Sequence, residues 1–309
     1  MKHSLCTSGE RSVMFSTLLL LLPLLGFGLG IPSGVRAESV DTIDESLMMI
    51  EQVEARLELT SKLVTQVAQT ASANGVDNVS DLEVLLQRAT ASSFNTASMQ
   101  ESIAEALGRR AAVNIDPVAF STAAKAFAAA AERLREAGKV DDNAFSAQIN
   151  ARLKDQQAGP IIAALAQAMA SPELAIETAL TGQVMYSALE ILTNSTAAEL
   201  ATLPPDALEP QLAEVIEQLR SKISNEKPVP KYVAAAEEKR QISLILAAIP
   251  QEDLDPLKTF YLSNEGKAKR DDLVIAYRHV FNAGNENLLN NYLRAILTYA
   301  KSQPPSQQN

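Results

Sequence analysis

The chain has 309 residues, 47% apolar and 21% charged, with 27 Lys and Arg against 37 Asp and Glu for a net charge of −10. That acidity repels nucleic-acid phosphate and anionic lipid, so neither is expected as a partner. Cys6, His3 and His279 are the full stock of cysteine and histidine. Thiol chemistry and Cys/His metal sites therefore have almost nothing to build on.

Lys2 and Arg11 lead into an apolar run from Val13 to Ile31, with leucine at every position from Leu18 to Leu22. Val35-Arg36-Ala37 then places small residues where a signal peptidase cuts. Residues 1–37 are expected to be a secretory signal peptide, cleaved near Ala37, leaving a periplasmic or secreted protein with no membrane span. The alternative is an uncleaved anchor in the inner membrane, because the apolar run approaches spanning length. Cleavage would leave 24 basic and 36 acidic residues, no cysteine, and His279 as the single histidine.

Asp41 to Ala73 reads as one long helix. Ile43, Ile50, Leu57, Val64 and Ala71 recur every seven residues, and Asn74-Gly75 ends the run. Ser80-Asp81-Leu82-Glu83 is a capping-box pattern that opens a helix to about Ala91. A helix follows over Met99 to Val113. Asp116-Pro117 restarts the chain into the Ala-rich run Val118 to Ala137, where small residues suit close helix contact. Asp142 to Gln157 is the next helix, broken at Gly159-Pro160. Ser171-Pro172-Glu173 opens a helix to Leu192, and a short one starts at Ser195. Asp206 to Ser224 is amphipathic. Asn225 to Pro230, with two prolines, marks the boundary between a region of residues 38–225 and a C-terminal helical domain of residues 231–302. Tyr232 to Ile249, Glu252 to Leu262, Lys267 to Asn282 and Glu286 to Ser302 are its helices; residues 303–309 are expected to be a disordered tail. No segment alternates as a strand does. The fold class expected is all-α, a multi-helix bundle with a long N-terminal helix.

The stretch with the most distinctive local pattern is Phe260-Tyr261-Leu262-Ser263-Asn264-Glu265-Gly266-Lys267. Ser263 is a good helix N-cap, and Gly266 has no Cβ, which lets another backbone come close. The expectation is a corner between two amphipathic helices, with Phe260 and Tyr261 at its inner edge. These eight residues resemble the signature of a family of secreted bacterial proteins, the domain of unknown function 2059. The acidic helix Glu252-Asp253-Leu254 ahead of the aromatic pair matches that family too, while Asn264 stands where many members have Pro. The resemblance covers roughly residues 231–299. It implies an all-helical envelope domain and carries no catalytic residues. Leu153 to Gly159 loosely echoes the corner, as a degenerate second copy would.

Two readings of the corner stand side by side. Phe260, Tyr261, Ser263, Gly266 and Tyr277 form a structural corner, or they line a binding surface for an envelope protein or a small ligand. Tyrosine suits both, since it pairs an apolar body with a polar tip. The charge run Lys267, Lys269, Arg270, Asp271 and Asp272 reads as a solvated face, with Glu265 to Lys269 at i,i+4. His279 reads as a structural or surface residue, and Glu252, Asp253 and Asp255 as a favourable helix N-terminus. No catalytic, cofactor-binding or metal-ligating set is expected. The function expected is a non-enzymatic binding or support module of the bacterial envelope. The alternative is a carboxylate-dependent hydrolase acting on an envelope polymer, which the abundant carboxylates leave open.

Overall fold

The computed structural model describes residues 43–76, 79–109, 113–140, 142–191 and 230–302, with residues 204, 207, 210, 211, 213–218 and 221 between them. The signal segment, the helix from Ser195, most of the boundary at 225–230 and the tail lie outside the described residues. Among those described, 89% are helical and none is in a strand, so the fold class is all-α.

Eleven helices are traced in chain order: α1 (Ile43–Ile50), α2 (Val53–Ala73), α3 (Val79–Ser93), α4 (Thr96–Gly108), α5 (Pro117–Val140), α6 (Asn143–Leu153), α7 (Ala158–Met169), α8 (Pro172–Ile191), α9 (Lys231–Ala248), α10 (Gln251–Leu262) and α11 (Asn264–Ser302). Polar side chains open several of them. Asn95 accepts from the Ser98 N–H, Asp116 from the Val118 N–H and Asp142 from the Phe145 N–H, each satisfying a first-turn donor.

Three expectations change. The helix expected over Asp41 to Ala73 is two helices, because Gln52 turns into the left-handed region at φ 53° between α1 and α2. A non-glycine residue pays strain there and needs surroundings that hold it. The break expected at Gly159-Pro160 instead lies inside the first turn of α7, where a proline without an N–H breaks no helical hydrogen bond. The last two helices expected are one, α11, 39 residues and about 58 Å long. Gly284 does not end it. The Phe94 ring lies against that glycine, where an added Cβ would come within 2.6 Å of the ring, so Gly284 is a seat for an aromatic.

α11 and α9 are the two axes of the molecule. α11 packs on α3, α4, α8 and α10, while α9 packs on α5, α6, α7 and α8. α10 joins the groups by touching α5 and α7 as well as α11, and α1 lies on α5. The helices after residue 230 are thus covered by helices from the first part of the chain. One continuous core runs through both groups, and the side chains of Phe120, Phe127, Phe260, Phe281, Tyr261, Tyr277 and Tyr292 are wholly buried in it. Each such ring contributes about 1.5–3 kcal/mol by leaving water. A separate small contact, Ala179 with Ala234 beside Ile176, joins the start of α9 to α8.

No single described helix is long and apolar enough to cross a membrane. α7 and α8 together pass that test but bend by 49° at their joint. The joint, Ala170-Ser171, is where the polar core begins.

Candidate functional site

The α10–α11 corner forms around Ser263. Its hydroxyl accepts from the Gly266 N–H at 2.9 Å and donates to the Phe260 carbonyl at 2.8 Å, so one side chain closes one helix and opens the next. A Cβ on Gly266 would fall on the Phe260 carbonyl oxygen. Phe260 stacks on Phe120 of α5, centroids 4.6 Å apart at 24°, and meets Tyr261 edge-on at 5.1 Å. Such ring pairs add about 0.5–1.5 kcal/mol beyond burial. Tyr277, further along α11, stacks on Phe281 at 4.4 Å and lies 3.3 Å from the Thr178 hydroxyl. The rings of Phe260, Tyr261 and Tyr277 are all fully buried, so they face the core and present no groove to solvent. Ser263 and Gly266 shape the turn, and Tyr261 and Tyr277 lead inward to a group of charges that the sequence gives no reason to place together.

That group centres on Glu51, 5% exposed, at the left-handed joint between α1 and α2. Its Oε1 accepts from the Tyr261 hydroxyl at 3.0 Å and from Arg270 Nε at 3.2 Å. Its Oε2 accepts from the Ser171 hydroxyl at 3.2 Å. Arg56 Nε donates to the Glu51 carbonyl at 3.0 Å, and Arg56 Nη2 pairs with Glu238 Oε1 of α9 at 2.5 Å. Arg270 Nη2 also donates to the Met169 carbonyl at 2.7 Å and to the Ser171 hydroxyl. Beside the group, Arg278 pairs with Glu177 of α8 at 2.9 Å.

Lys269 and Arg270 do not sit on the solvated face expected for their charge run. Lys269 is buried, pairs with Asp44 at 2.7 Å and donates to the Leu107 carbonyl at 3.3 Å. Leu107 is in the last turn of α4, and Met169 is the last residue of α7. Consecutive cations of α11 therefore cap the C-termini of two different helices, and Arg56 does the same just past the end of α1. Helix ends carry unpaired carbonyls and partial negative charge, so cations are favoured there. The signal for this was present in the sequence: Lys269, Leu273 and Tyr277 are spaced by four, so Lys269 extends the buried stripe of α11.

Burial pushes Glu238 up, from the ordinary 4.5 to about 7, with Glu51 adding to the rise and Arg56 and Arg270 opposing it. Its second oxygen, Oε2, has no hydrogen-bond partner. Burial likewise raises Glu177 against the pull of Arg278. Burial, with the Glu51 charge behind it, holds the Tyr261 hydroxyl well above the ordinary tyrosine value, so it stays a donor to Glu51. Burial also pushes Tyr277 far up, out of any working range, and it stays protonated. Chemically, the group stores charge in fixed pairs, with one carboxyl, Glu238, poised to exchange a proton near neutrality.

The other residues named from sequence lie apart from it. His279 is exposed on α11. Glu252 and Asp253 stand in the first turn of α10 and Asp255 follows, with burial and then Glu252 raising Asp253. Among the described residues no group of three or more His, Cys, Asp or Glu could hold a metal ion. Sequence reasoning missed Glu51, Arg56, Glu177 and Glu238, whose partners are far away in the chain. No family model matches the chain, and no curated protein or solved structure matches it either.

Proposed function

We propose that this is an exported helical protein of the bacterial envelope that works by binding or bracing rather than by catalysis. The observation that carries the reading is the way Glu51 and its arginines tie separate helices together. Both Glu51 oxygens are taken up by Tyr261, Arg270 and Ser171, and the arginines end on helix carbonyls. Charges committed in this way hold helices in place. The basic lead-in, the apolar run Val13 to Ile31 and Val35-Arg36-Ala37 support export. The likeness of Phe260 to Lys267 to the domain of unknown function 2059 points in the same direction.

The test is fractionation of the producing cell with N-terminal sequencing of the protein recovered. A periplasmic or secreted protein beginning near Glu38 is the expected result. A membrane-bound protein that retains residues 1–37 would favour the inner-membrane anchor; a cytoplasmic one would sink the proposal.

A carboxylate-dependent hydrolase is the second reading, and Glu238 is what favours it. This carboxyl is held near neutrality beside Glu51, and one of its oxygens is unbonded. An acid in that state is what general acid catalysis requires. Incubating the purified protein with isolated envelope polymer and measuring released soluble fragments separates the two. Release that is lost in a folded Glu238→Gln variant would establish the hydrolase, and no release would leave the bracing role.

A further inference from the structure

Sequence pattern and backbone disagree at one point between α1 and α2, and the disagreement marks a hinge. Ile43, Ile50, Leu57, Val64 and Ala71 keep one seven-residue spacing straight through Gln52, as a single amphipathic helix would. All five face the core, Ile43 in part and the others fully. Yet Gln52 breaks the helix at φ 53°, the single non-glycine residue with a positive φ among the described residues. Glutamine is strained there, where glycine would not be. Its side chain does not cap α2 either. A chain running straight from α1 into α2 would release that strain and satisfy the N–H groups at the start of α2. It would also carry α1 away from α5 and α4, the helices it lies on. Leu47 and Ile50, 0% and 3% exposed, would then need an identical seat elsewhere.

We propose that a second copy of this chain supplies that seat: two chains exchange their first helices about Gln52 and form a dimer in which α1 and α2 are continuous. The chemistry of the seat selects α1 as its occupant. It is apolar under Leu47 and Ile50 and holds the buried Lys269 for Asp44, at 2.7 Å. It holds Arg270 and the hydroxyls of Tyr261 and Ser171 for Glu51. Asp44 and Glu51 both precede the hinge, so they travel with α1 and meet the same partners on the other chain. The Arg56 Nε contact to the Glu51 carbonyl is given up, and in a continuous helix that carbonyl accepts from the Ala55 N–H instead. The exchanged contacts are otherwise the same in both forms. The joint at Gln52 and the protein concentration therefore set the balance, as in other exchanges about a short strained connection.

The test uses the full chain with Cys6→Ser, refolded from urea over a range of protein concentrations, with its mass read by light scattering. A dimer that grows with concentration is expected. Gln52→Gly, unstrained in the closed form, should weaken the dimer about tenfold or more, and Gln52→Val, worse at positive φ, should strengthen it about tenfold. A chain that stays monomeric, or a dimer indifferent to residue 52, would overturn the proposal. Asp44→Lys and Lys269→Asp identify the exchange itself. Each alone places like charges together within its own chain. Refolded together, the two variants restore both pairs only if α1 crosses between chains. A mixed dimer is expected, seen by native mass spectrometry with one variant isotope-labelled, and melting above either variant alone. The chain carrying both changes shows whether the reversed pair folds. If it folds and no mixed dimer forms, the proposal falls; if it does not fold, the series at residue 52 decides.

Discussion

The molecule turns twice by the same device and loads the two turns differently. At the α6–α7 turn a Cβ on Gly159 would come 2.6 Å from the Leu153 carbonyl oxygen; at the α10–α11 turn a Cβ on Gly266 would fall on the Phe260 carbonyl oxygen. In each case the close carbonyl lies six residues earlier. Each turn also has a polar cap. Asp155 accepts from the N–H groups of Gln157 and Ala158, and Ser263 from that of Gly266. Beyond the caps the likeness ends. Four residues past Gly159 stands Ala163, exposed; four past Gly266 stands Arg270, which reaches Glu51, Ser171 and Met169. Residues 154–157 are exposed, whereas Phe260 and Tyr261 are sealed in the core. The first turn only joins α6 to α7. The second aims a cation at the centre of the molecule, so its geometry is fixed from two sides.

The sharpest way to break that contrast is Arg270→Ala. It leaves Glu51 buried without its cation and the end of α7 uncapped, and should cost about 4 kcal/mol in urea unfolding. Ala163→Gly, the matching site after the other turn, should cost about 1 kcal/mol from helix propensity alone. A loss at Arg270 no larger than that would remove the central role given to the second turn. Next come the glycines themselves. Gly266→Ala should cost about 3 kcal/mol, because neither the Phe260 backbone nor its stacked ring can retreat, and Gly159→Ala about 1 kcal/mol, because residues 154–157 can shift. Equal thermal shifts would mean the two turns are equally constrained.

Glu238 reports on the group of charges that only the second turn reaches. Its value in the folded chain, about 7, lies above the ordinary 4.5, so the folded state holds this proton more tightly than the unfolded state does. The stability it contributes is complete below about pH 4.5 and is lost as pH rises through about 7. Between pH 5 and pH 8 that loss is about 3 kcal/mol. Glu238→Gln should remove this part of the slope, and parallel urea curves for the two proteins would refute it. The smallest effect belongs to the caps. Ser263→Ala and Asp155→Ala should each cost about 1 kcal/mol in thermal unfolding, with helicity otherwise intact.

The same contrast separates what could be read in the sequence from what could not. The Ser263–Gly266 corner is local: cap, glycine and aromatic pair fall within eight residues, so their spacing announces the turn. The helix start at Asp116-Pro117 is legible for the same reason. Gln52 was not, since nothing in a glutamine flanked by Glu51 and Val53 marks a left-handed joint; the contacts of Glu51 beside it come from residues 171, 261 and 270. The gap expected between Asn282 and Glu286 does not exist, and the Phe94 ring that takes up the space at Gly284 lies far back in the sequence. Glu238 and Arg56 are 182 residues apart, and no periodic pattern links them.

The joint at Glu51-Gln52 also sets an order of assembly. It lies near the start of the described chain, yet its acid meets its hydroxyl partners from positions 120 and 210 residues later and its guanidinium partner from 219 residues later. A ribosome delivers residues from the first to the last, so most of the bundle exists before the group that secures α1 can form. Closing loops of that length is slow compared with forming a helix. The Glu51 joint is therefore completed late, and a chain cut short before Arg270 would leave the buried Glu51 without that cation.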